Sequence, residues 1–338
     1  MRIPAKLLRG KLTPRKLAAI LLIWLAGVAI SHFAGMADFG TRPIELAPIP
    51  ESAEGKAGGK IRVCSWNVHN YCVANRPING KWREPPKPEA EKAALRKTLS
   101  AINADVVLLQ EMGDEAYLAE LRDALAREGL AYPYCAITSF DAHARVAIMS
   151  RIKPEKFHDC SDISFEFKGE KTFSPRGTIG AEFKTAGKSW HAFSSDLAFS
   201  IHLKSKSGAR KADEQFYPFR FAEARAIDAR IFSITGGGPT VIAGDFNNEP
   251  SPALMRNFKK LGARMLGGGD FASAGAYTYY WKKKGIAYVY DYFAVNAPME
   301  KFAGGPKIIN FPAAREASDH LPIVADFDFS KGAGAPKR

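Results

Sequence analysis

Short apolar segments that alternate with amphipathic ones restrict this sequence to few fold classes. Segments such as "ADVVLLQE" and "RVAIMS" are typical of buried strands, whereas "DEAYLAELRDALAREG" carries apolar side chains at helical spacing. Strands that alternate with helices predict an α/β fold. Neither a second linker nor an internal repeat interrupts residues 61–330, so we expect these residues to form one domain.

Residues 1–37 have the pattern of an export signal or a membrane anchor. Six basic residues and no acidic residue precede an unbroken apolar run from Leu17 to Ile30. This run is shorter than the roughly 20 residues of a spanning helix, but it suits the core of a signal peptide. Its basic flank predicts that the rest of the chain is exported. We therefore expect a periplasmic or extracellular protein, either cleaved near Gly35 and Ala37 or tethered to the membrane by residues 17–37.

Two further segments are expected to lie outside the folded domain. Residues 38–60 are rich in Pro, Gly and Glu without hydrophobic periodicity, which predicts a flexible linker. Residues 331–338, "KGAGAPKR", predict a disordered tail.

The cysteines do not show the close spacings that are typical of metal sites. In an exported protein they would allow up to two disulfides, with three possible pairings. A buried thiol is the alternative for Cys64, which lies inside an apolar strand. The sequence leaves both interpretations open. The four residues are Cys64, Cys72, Cys135 and Cys160.

The chain is basic along its whole length, with a formal net charge of +13. Residues 1–60 contain nine Lys or Arg and four Asp or Glu residues, which leaves 39 and 31 for the remainder and a charge of +8 there. A basic domain suggests an anionic partner such as nucleic acid, acidic lipid or a phosphorylated metabolite, although charge alone fits a soluble protein without such a partner equally well. An apolar content of 46% excludes a disordered chain.

Polar side chains stand beside six apolar segments, where a hydrophobic core would favour Val or Leu. One such residue is usually a turn former or a satisfied structural group, but turns alone do not explain six repetitions. Together these side chains supply carboxylates, amides and imidazoles, which suit a hard divalent cation and a phosphate group. The residues are Asn67, Glu111, His202, Asp245 with Asn247, Asp291, and Asp319 with His320.

The ordered set "SWN", "LLQE", "HLKS", "GDFN", "DYF" and "SDHLP" resembles the endonuclease/exonuclease/phosphatase superfamily. This superfamily includes deoxyribonuclease I-like enzymes, abasic-site endonucleases, sphingomyelinases and inositol-phosphate 5-phosphatases. The resemblance extends from Ile61 to about Phe329 and implies a four-layered α/β sandwich, in which helices flank two packed mixed β-sheets. It also implies metal-dependent hydrolysis of a phosphoester at one edge of the sandwich.

The resemblance further implies a Mg²⁺ site, with Mn²⁺ or Ca²⁺ as alternative ions. Glu111 is similar to the principal metal ligand of the family. Asn67 and Asp319 would complete or support the metal site.

The same resemblance implies roles for the catalytic side chains. Asp245 is similar to the carboxylate that orients and deprotonates the attacking water, and Asn247 to the amide that holds the phosphate or this water. His320 resembles the imidazole at the scissile phosphate, and Asp291 would accept a hydrogen bond from its other nitrogen and so fix its tautomer. His202 resembles the second phosphate-facing histidine of the deoxyribonuclease I and sphingomyelinase branches. Such groups are needed because the anionic oxygens of a phosphodiester repel the nucleophile.

Two features depart from the family pattern. His69 stands where abasic-site endonucleases carry an aspartate near the metal, which argues against that specific activity. Arg145 and Arg176 each allow two interpretations, a phosphate-facing arginine as in some family members or a plain surface charge.

Basic clusters near two of the predicted site residues favour nucleic acid as the substrate. "HLKSKSGARK" contains His202, and "YYWKKKG" precedes Asp291, so their lysines would be placed to contact backbone phosphates. The aromatic residues beside Lys282–Lys284 could stack on bases, or they could pack inward below a solvated hairpin turn.

We therefore expect an exported, monomeric, divalent-metal-dependent phosphodiesterase, with a DNase-like endonuclease as the first interpretation. The alternative keeps the chemistry and changes the substrate to a lipid headgroup or a small phosphoester, as in a phosphatase or a sphingomyelinase-like phospholipase C. The N-terminal membrane segment favours this alternative. A non-catalytic envelope binding protein on the same scaffold is the third interpretation.

Overall fold

Two β-sheets that pack face to face form the frame of the protein. The computed structural model describes residues 41–50, 59–140, 142–198, 212–267 and 276–330. The predicted export segment, residues 1–37, and the predicted tail, residues 331–338, lie outside these ranges. Among the described residues, no helix has both the length and the apolar character required to cross a membrane.

The first sheet has seven strands. They are β1 (Ile44–Glu45), β2 (Lys60–Tyr71), β5 (Val106–Met112), β6 (Tyr134–Ile137), β7 (Arg145–Ser150), β18 (Lys307–Ile308) and β19 (Ile323–Asp328). Their spatial order is β1-β6-β7-β5-β2-β19-β18. The central pair β2 and β5 is parallel, and every other neighbouring pair is antiparallel.

The second sheet has six strands. They are β8 (Lys156–Asp159), β11 (Thr178–Thr185), β12 (Lys188–Asp196), β13 (Thr240–Asp245), β14 (Arg264–Met265) and β17 (Asp291–Val295). Their order is β14-β17-β13-β12-β11-β8, with β12 and β13 as the parallel pair. Three separate hairpins project from this frame: β3 (Arg76–Ile78) with β4 (Lys81–Arg83), β9 (Ser164–Phe167) with β10 (Glu170–Phe173), and β15 (Tyr279–Trp281) with β16 (Ile286–Tyr288).

Six helices occur within the described ranges. They are α1 (Glu89–Ile102), α2 (Glu115–Arg127), α3 (Ala212–Thr235), α4 (Pro252–Met255), α5 (Ala297–Glu300) and α6 (Pro312–Ala317). Local sequence explains two of the helix ends. The side chain of Asp114 accepts hydrogen bonds from the first turn of α2, and Asn103 ends α1 in the left-handed conformation.

Strand β5 shows how the layers are held together. Val106 and Leu108 belong to the core that also includes residues of the second sheet, whereas Val107 and Leu109 belong to the core that includes α1 and α2. A strand buried on both faces is apolar at every position, which is the pattern of "ADVVLLQE". Ala224, Ile227 and Ile231 of α3 pack in the core of the second sheet and supply the fourth layer. The helix–sheet–sheet–helix order confirms the expected four-layered α/β sandwich with two mixed sheets.

Part of the predicted linker, residues 38–60, lies in the described ranges and contacts the domain. Ile44 and Glu45 form β1 and pair with β6, and the guanidinium of Arg122 donates to the backbone oxygen of Ala47 at 2.8 Å. The open edge of β6 accepts this short strand because an exposed sheet edge presents unpaired backbone groups. The compact unit accordingly begins at Arg42.

All four cysteines, which lie in described parts of the chain, are buried free thiols. Burial raises the pKa of Cys72 to about 11 and that of Cys160 to about 12. These thiols are therefore protonated and unreactive at neutral pH. Of the two interpretations that the sequence allows, the structure supports buried thiols.

Gly244 marks the closest approach between β12 and β13. It pairs with Ser195, and an added Cβ would overlap the carbonyl oxygen of Ser195. Gly244→Ala is therefore expected to lower the free energy of unfolding by about 1–3 kcal/mol, measured by urea denaturation. In the control Gly305→Ala, the added Cβ meets no described atom within 4 Å, and a change within about 0.5 kcal/mol is expected. Equal losses in the two variants would contradict the steric argument.

Candidate active site

Asn67 and Glu111 meet at the ends of the parallel strands β2 and β5. Asn67 is the register partner of Gln110, the residue before Glu111, and regular pairing is interrupted immediately after this pair. Glu111 has φ 57°, in the left-handed region that side chains other than glycine rarely adopt. One of its carboxylate oxygens, Oε2, accepts the backbone N–H of Asn70 at 3.0 Å. The interruption therefore holds an acidic and an amide side chain at one sheet edge.

Asp245, the last residue of β13, links the two sheets. Its Oδ1 accepts the backbone N–H of Asn247 at 2.8 Å, which is a local turn typical of aspartate. Its Oδ2 accepts a hydrogen bond from the side-chain amide of Asn67 at 3.1 Å. The carboxylate is only 2% exposed. Burial of a carboxylate is costly without such donors, so the fold fixes this group by specific contacts.

Asn247 is held by the end of β12. Its side-chain Nδ2 donates to the carbonyl of Leu197 at 2.8 Å and to Oδ1 of Asp196 at 3.4 Å. Asp196 is the register partner of Asp245. Strand β12 ends with Asp196. His202 itself lies outside the described residues.

His320 and Asp291 form a buried pair beside Asp245. Nδ1 of His320 lies 2.8 Å from Oδ2 of Asp291, and its Nε2 lies 3.6 Å from Oδ2 of Asp245. Asp291 begins β17 and is the register partner of Asp245. The predicted imidazole and its predicted carboxylate partner are thus adjacent, and both face the predicted base.

The loop that carries His320 is anchored to β2. The indole N–H of Trp66 donates to the carbonyl of His320 at 3.0 Å. Ser318 accepts the backbone N–H of His320 at 3.0 Å and donates its hydroxyl to the carbonyl of Asn67 at 2.8 Å. On the other side, the ring of Tyr279 lies 4.6 Å from the imidazole. These contacts leave the imidazole little freedom to rotate.

The proton affinities of Asp245 and His320 are perturbed in ways that suit proton transfer. Burial raises the pKa of Asp245 to about 7, and the nearby His320 opposes this effect. Burial alone would lower the pKa of His320, but Asp291 and Asp245 outweigh it and raise this pKa well above the usual value. Near neutral pH, His320 therefore carries a positive charge beside a carboxylate that can accept a proton.

Arg176 and Asp196 also belong to the site. Nη2 of Arg176 lies 3.7 Å from Oε1 of Glu111, and its Nε lies 4.0 Å from Oδ2 of Asp196. Of the two interpretations of Arg176, the structure supports a place in the site. Burial raises the pKa of Asp196 well above the usual value, against the opposing charge of Arg176. Sequence reasoning missed Asp196, although it ends a buried strand as Asp245 does.

Arg145 contacts the start of α2 and the segment after β6. Its Nη1 lies 3.7 Å from the carboxylate of Glu115, in the first turn of α2, and donates to the carbonyl of Thr138 at 3.3 Å. It is buried rather than a plain surface charge. The structure therefore gives it contacts with α2 and with the loop after β6.

Asp319 and His69 lie at the more exposed side of the site. Nδ1 of His69 is 3.6 Å from Oδ1 of Asp319, and their side chains are 42% and 23% exposed. His69 thus takes a position next to a predicted metal-site carboxylate, as its place in the sequence suggested. Both groups can be reached by a large substrate.

The donor set of the site fits a hard divalent cation. Oδ2 of Asp196 and Oδ1 of Asp291 are buried and receive no hydrogen bond from any described residue. Carboxylate and amide oxygens are the ligands that Mg²⁺ prefers in proteins. The ligands that the family resemblance predicts, Glu111, Asn67 and Asp319, would offer such oxygens to the ion.

Known proteins resemble this chain in sequence pattern and in fold. The sequence model of the Endonuclease/Exonuclease/phosphatase family matches residues 64–320. No curated protein sequence matches the chain. The 257 matched residues run from Cys64, within β2, to His320 and include every predicted site residue.

Solved structures share the fold at low sequence identity. SmcL is 17% identical, with a TM-score of 0.58 over 80% of this chain and 99% of its own. The beta toxin of Staphylococcus aureus is 16% identical, with a TM-score of 0.54 over 78% of this chain and 99% of its own. An AP endonuclease from Archaeoglobus fulgidus is 16% identical, with a TM-score of 0.53 over 79% and 99% of the two chains.

Proposed function

The chain belongs to the endonuclease/exonuclease/phosphatase family, whose members are metal-dependent phosphoric ester hydrolases, and on this premise we propose that it is an exported, Mg²⁺-dependent, DNase-like endonuclease. The observation that carries nucleic acid as the substrate is the basic, aromatic β15–β16 hairpin, which packs directly against His320. The N-terminal pattern of a basic flank and an apolar run supports export.

The β15–β16 hairpin and the loop of His320 are joined by backbone hydrogen bonds. The N–H of Tyr280 donates to the carbonyl of Asp319 at 2.9 Å, and the N–H of Leu321 donates to the carbonyl of Thr278 at 2.6 Å. The Thr278 hydroxyl in turn accepts the backbone N–H of Asp291 at 3.0 Å. The hairpin is therefore a wall of the site, and a substrate that lies along it reaches the reacting groups.

The tip of the hairpin presents positive charge and aromatic rings. Lys282, Lys283 and Lys284 are exposed, and Nζ of Lys284 lies 3.8 Å from the ring centre of Trp281. The ring of Tyr280 is also exposed. Lysines contact the backbone phosphates of nucleic acids in general. Aromatic rings on which bases stack are typical of single-strand recognition.

A groove of mixed charge adjoins the other side of the site. Its lining includes His69 and Arg76, but Lys87 is buried there and paired with Glu91 at 2.8 Å. Trp82, within β4, is 70% exposed. An extended anionic polymer would contact the basic tip of the β15–β16 hairpin, whereas a small phosphoester bound at the reacting groups would not.

Different site residues can carry out different parts of the hydrolysis. Asp245, fixed by Asn67 and Asn247, orients the attacking water and accepts its proton. The water oxygen forms a bond to phosphorus as the bond from phosphorus to the leaving oxygen breaks. His320, kept positive by Asp291, donates a hydrogen bond to the phosphate and offsets the charge that builds there.

Mg²⁺ held by Glu111, Asn67 and Asp319 would supply Lewis-acid polarisation of the phosphate. Arg176, 3.7 Å from Glu111, is placed to balance the acidic groups before substrate binds and to contact a phosphate oxygen afterwards. Donors aimed at an anion in a water-poor site stabilise it more strongly than the same donors do in water.

A lipid-directed phosphodiesterase is the second candidate. Trp82 and Tyr280 are exposed aromatic side chains on the two hairpins that flank the site, and such residues are favoured at membrane interfaces. The apolar N-terminal segment would hold the enzyme close to such a surface if it is retained. This candidate requires the same catalytic residues and a different role for the hairpin lysines.

A substrate panel distinguishes the two candidates. The purified protein is expected to nick supercoiled plasmid in Mg²⁺ and to lose this activity in EDTA, while sphingomyelin vesicles and inositol phosphates release no product. Phosphocholine or phosphate release with intact plasmid would overturn the nuclease proposal and support the second candidate. Absence of hydrolysis of any substrate with Mg²⁺, Mn²⁺ or Ca²⁺ would instead support a binding protein.

The role of the hairpin lysines is tested by salt dependence. Replacing Lys282, Lys283 and Lys284 by glutamine is expected to reduce the slope of log affinity against log salt by up to about 3, since each phosphate contact contributes about 0.9. A matched triple variant replaces the exposed lysines Lys97, Lys153 and Lys301. If both triple variants change the slope equally, the hairpin has no specific role in binding.

A further inference from the structure

A second group of metal-ligand side chains lies on the second sheet, far from the candidate active site. His158, Glu182 and His191 each offer one ligand atom, and these three atoms lie within 4.8 Å of one another. His191 is five residues before Asp196 on β12, which is about 16 Å along an extended strand. The group is therefore separate from the residues that would act on the substrate.

Strand pairing brings the three side chains to one face of the sheet. His191 is the register partner of Glu182, and His158 is the partner of Gly180, two residues before Glu182. Side chains two residues apart on a strand share a face. The ring centres of the two histidines are 6.3 Å apart. Three neighbouring strands thus contribute one ligand each.

Each imidazole has one buried ring nitrogen without a hydrogen-bond partner among the described residues. Nε2 of His158 and Nδ1 of His191 are buried and make no hydrogen bond there, and His191 is only 7% exposed. Buried polar nitrogens of native proteins nearly always have a partner, so two in one cluster indicate an absent ligand. Phe193, whose ring occupies the space above Gly180, closes one side of the cluster with an apolar wall.

We propose that His158, Glu182 and His191 form a zinc site that joins strands β8, β11 and β12. Two imidazoles and one carboxylate are a ligand set of zinc, whereas Mg²⁺ prefers oxygen ligands throughout. Tetrahedral zinc with bonds of about 2.0–2.1 Å places its ligand atoms about 3.4 Å apart. The three ligand atoms lie within 4.8 Å of one another, so small side-chain rotations would bring them to this distance. Water would take the fourth position.

The electrostatics of the cluster are compatible with metal binding. Burial, together with Lys156 and the other imidazole, lowers the pKa of His158 to about 4, and burial lowers that of His191. Both rings are therefore neutral at pH 7 and have a lone pair available for a metal. Glu182 supplies the negative charge. Since β8 is the edge strand of its sheet, the ion would fasten that edge to its two neighbours.

The proposal is tested by zinc and cobalt titration of the metal-free full-length protein in excess Mg²⁺. The wild type is expected to bind one Zn²⁺ that Mg²⁺ does not displace, and Co²⁺ at this site should give the intense visible spectrum of a tetrahedral complex. Zinc should also raise the midpoint of thermal unfolding. The double variant His158→Gln/His191→Gln should lose this one equivalent and the thermal shift, and retain Mg²⁺-dependent hydrolysis.

Glu182→Gln and His143→Gln complete the test. Glu182→Gln removes a ligand charge with little change in shape, and it should weaken Zn²⁺ binding by at least about tenfold even if the double variant fails to fold. His143 is an exposed histidine outside the cluster, so His143→Gln should bind zinc as the wild type does. The same zinc stoichiometry and affinity in Glu182→Gln as in the wild type, or loss of zinc in His143→Gln, would overturn the proposal.

Discussion

Replacing Asp245 by asparagine is expected to lower kcat by roughly 10²–10⁴-fold, because the variant cannot accept a proton from the attacking water. Asparagine has nearly the same shape, so KM should change little. The measurement is the initial rate of plasmid nicking at saturating Mg²⁺. The wild-type rate should fall at acidic pH, because burial raises the pKa of Asp245 to about 7 and protonation removes the base.

Stability provides an independent readout for the same variant. The folded-state pKa of Asp245 lies above the usual 3.8, so the folded protein loses stability as pH rises between these values. Asp245→Asn removes this ionisation, so its stability should lack the decline that the wild type shows as pH rises. Because the amide group replaces one of two accepting oxygens, the variant should lose about 1–3 kcal/mol of stability and remain folded at the assay pH. Low activity would then reflect lost chemistry rather than lost folding.

Asp326→Asn is the matched control for this prediction. Asp326 pairs with Arg62, and its side chain is 55% exposed. An exposed ion pair of this kind contributes at most about 1 kcal/mol, so the rate should remain close to that of the wild type. Retention of more than about a tenth of the wild-type rate by Asp245→Asn would refute its role as the base.

The second large effect is expected at His320. His320→Asn removes the positive donor beside the phosphate and should lower kcat by about 10²–10³-fold. Asp291→Asn should act through His320. Because Asp291 helps to raise the pKa of His320, its replacement should move the alkaline limb of the pH–rate profile to lower pH.

A double-mutant cycle separates this dyad from two independent residues. If Asp291 acts through His320, the variant His320→Asn/Asp291→Asn should be no slower than His320→Asn alone. A merely structural Asp291 would leave the pH profile in place and change only the amount of folded enzyme. Additive losses with an unchanged profile would exclude the proposed dyad.

Periodicity was sufficient to predict the frame of this fold. The continuous apolar runs of β5 and β7 indicate buried strands, and the helix at 115–127 follows from the helical spacing of its apolar residues. The four-layered packing and the approach of Asn67 to Asp245 depend on long-range contacts that no local pattern contains. Family resemblance supplied that part of the prediction.

The site residues that the sequence did not predict, or left open, were difficult to predict for physical reasons. Asp196 follows an apolar run that continues beyond it in the sequence, so a pattern based on strand ends placed the end too late. Arg176 was open to two interpretations because it comes from a loop between strands, where no periodicity predicts the direction of a side chain. The unsatisfied nitrogens of His158 and His191 become visible only when three separate strands are aligned in register.

The hydrogen bonds between the β15–β16 hairpin and the loop of His320 have a further consequence for substrate length. The backbone hydrogen bonds of Tyr280 and Leu321 join the two segments. A substrate contact that fixes the position of the hairpin therefore also positions the imidazole. Binding energy from distant nucleotides would then raise kcat rather than the affinity for the ground-state substrate. Dinucleotides should be poor substrates mainly through a low kcat, and lengthening the strand should restore the rate before it changes the affinity.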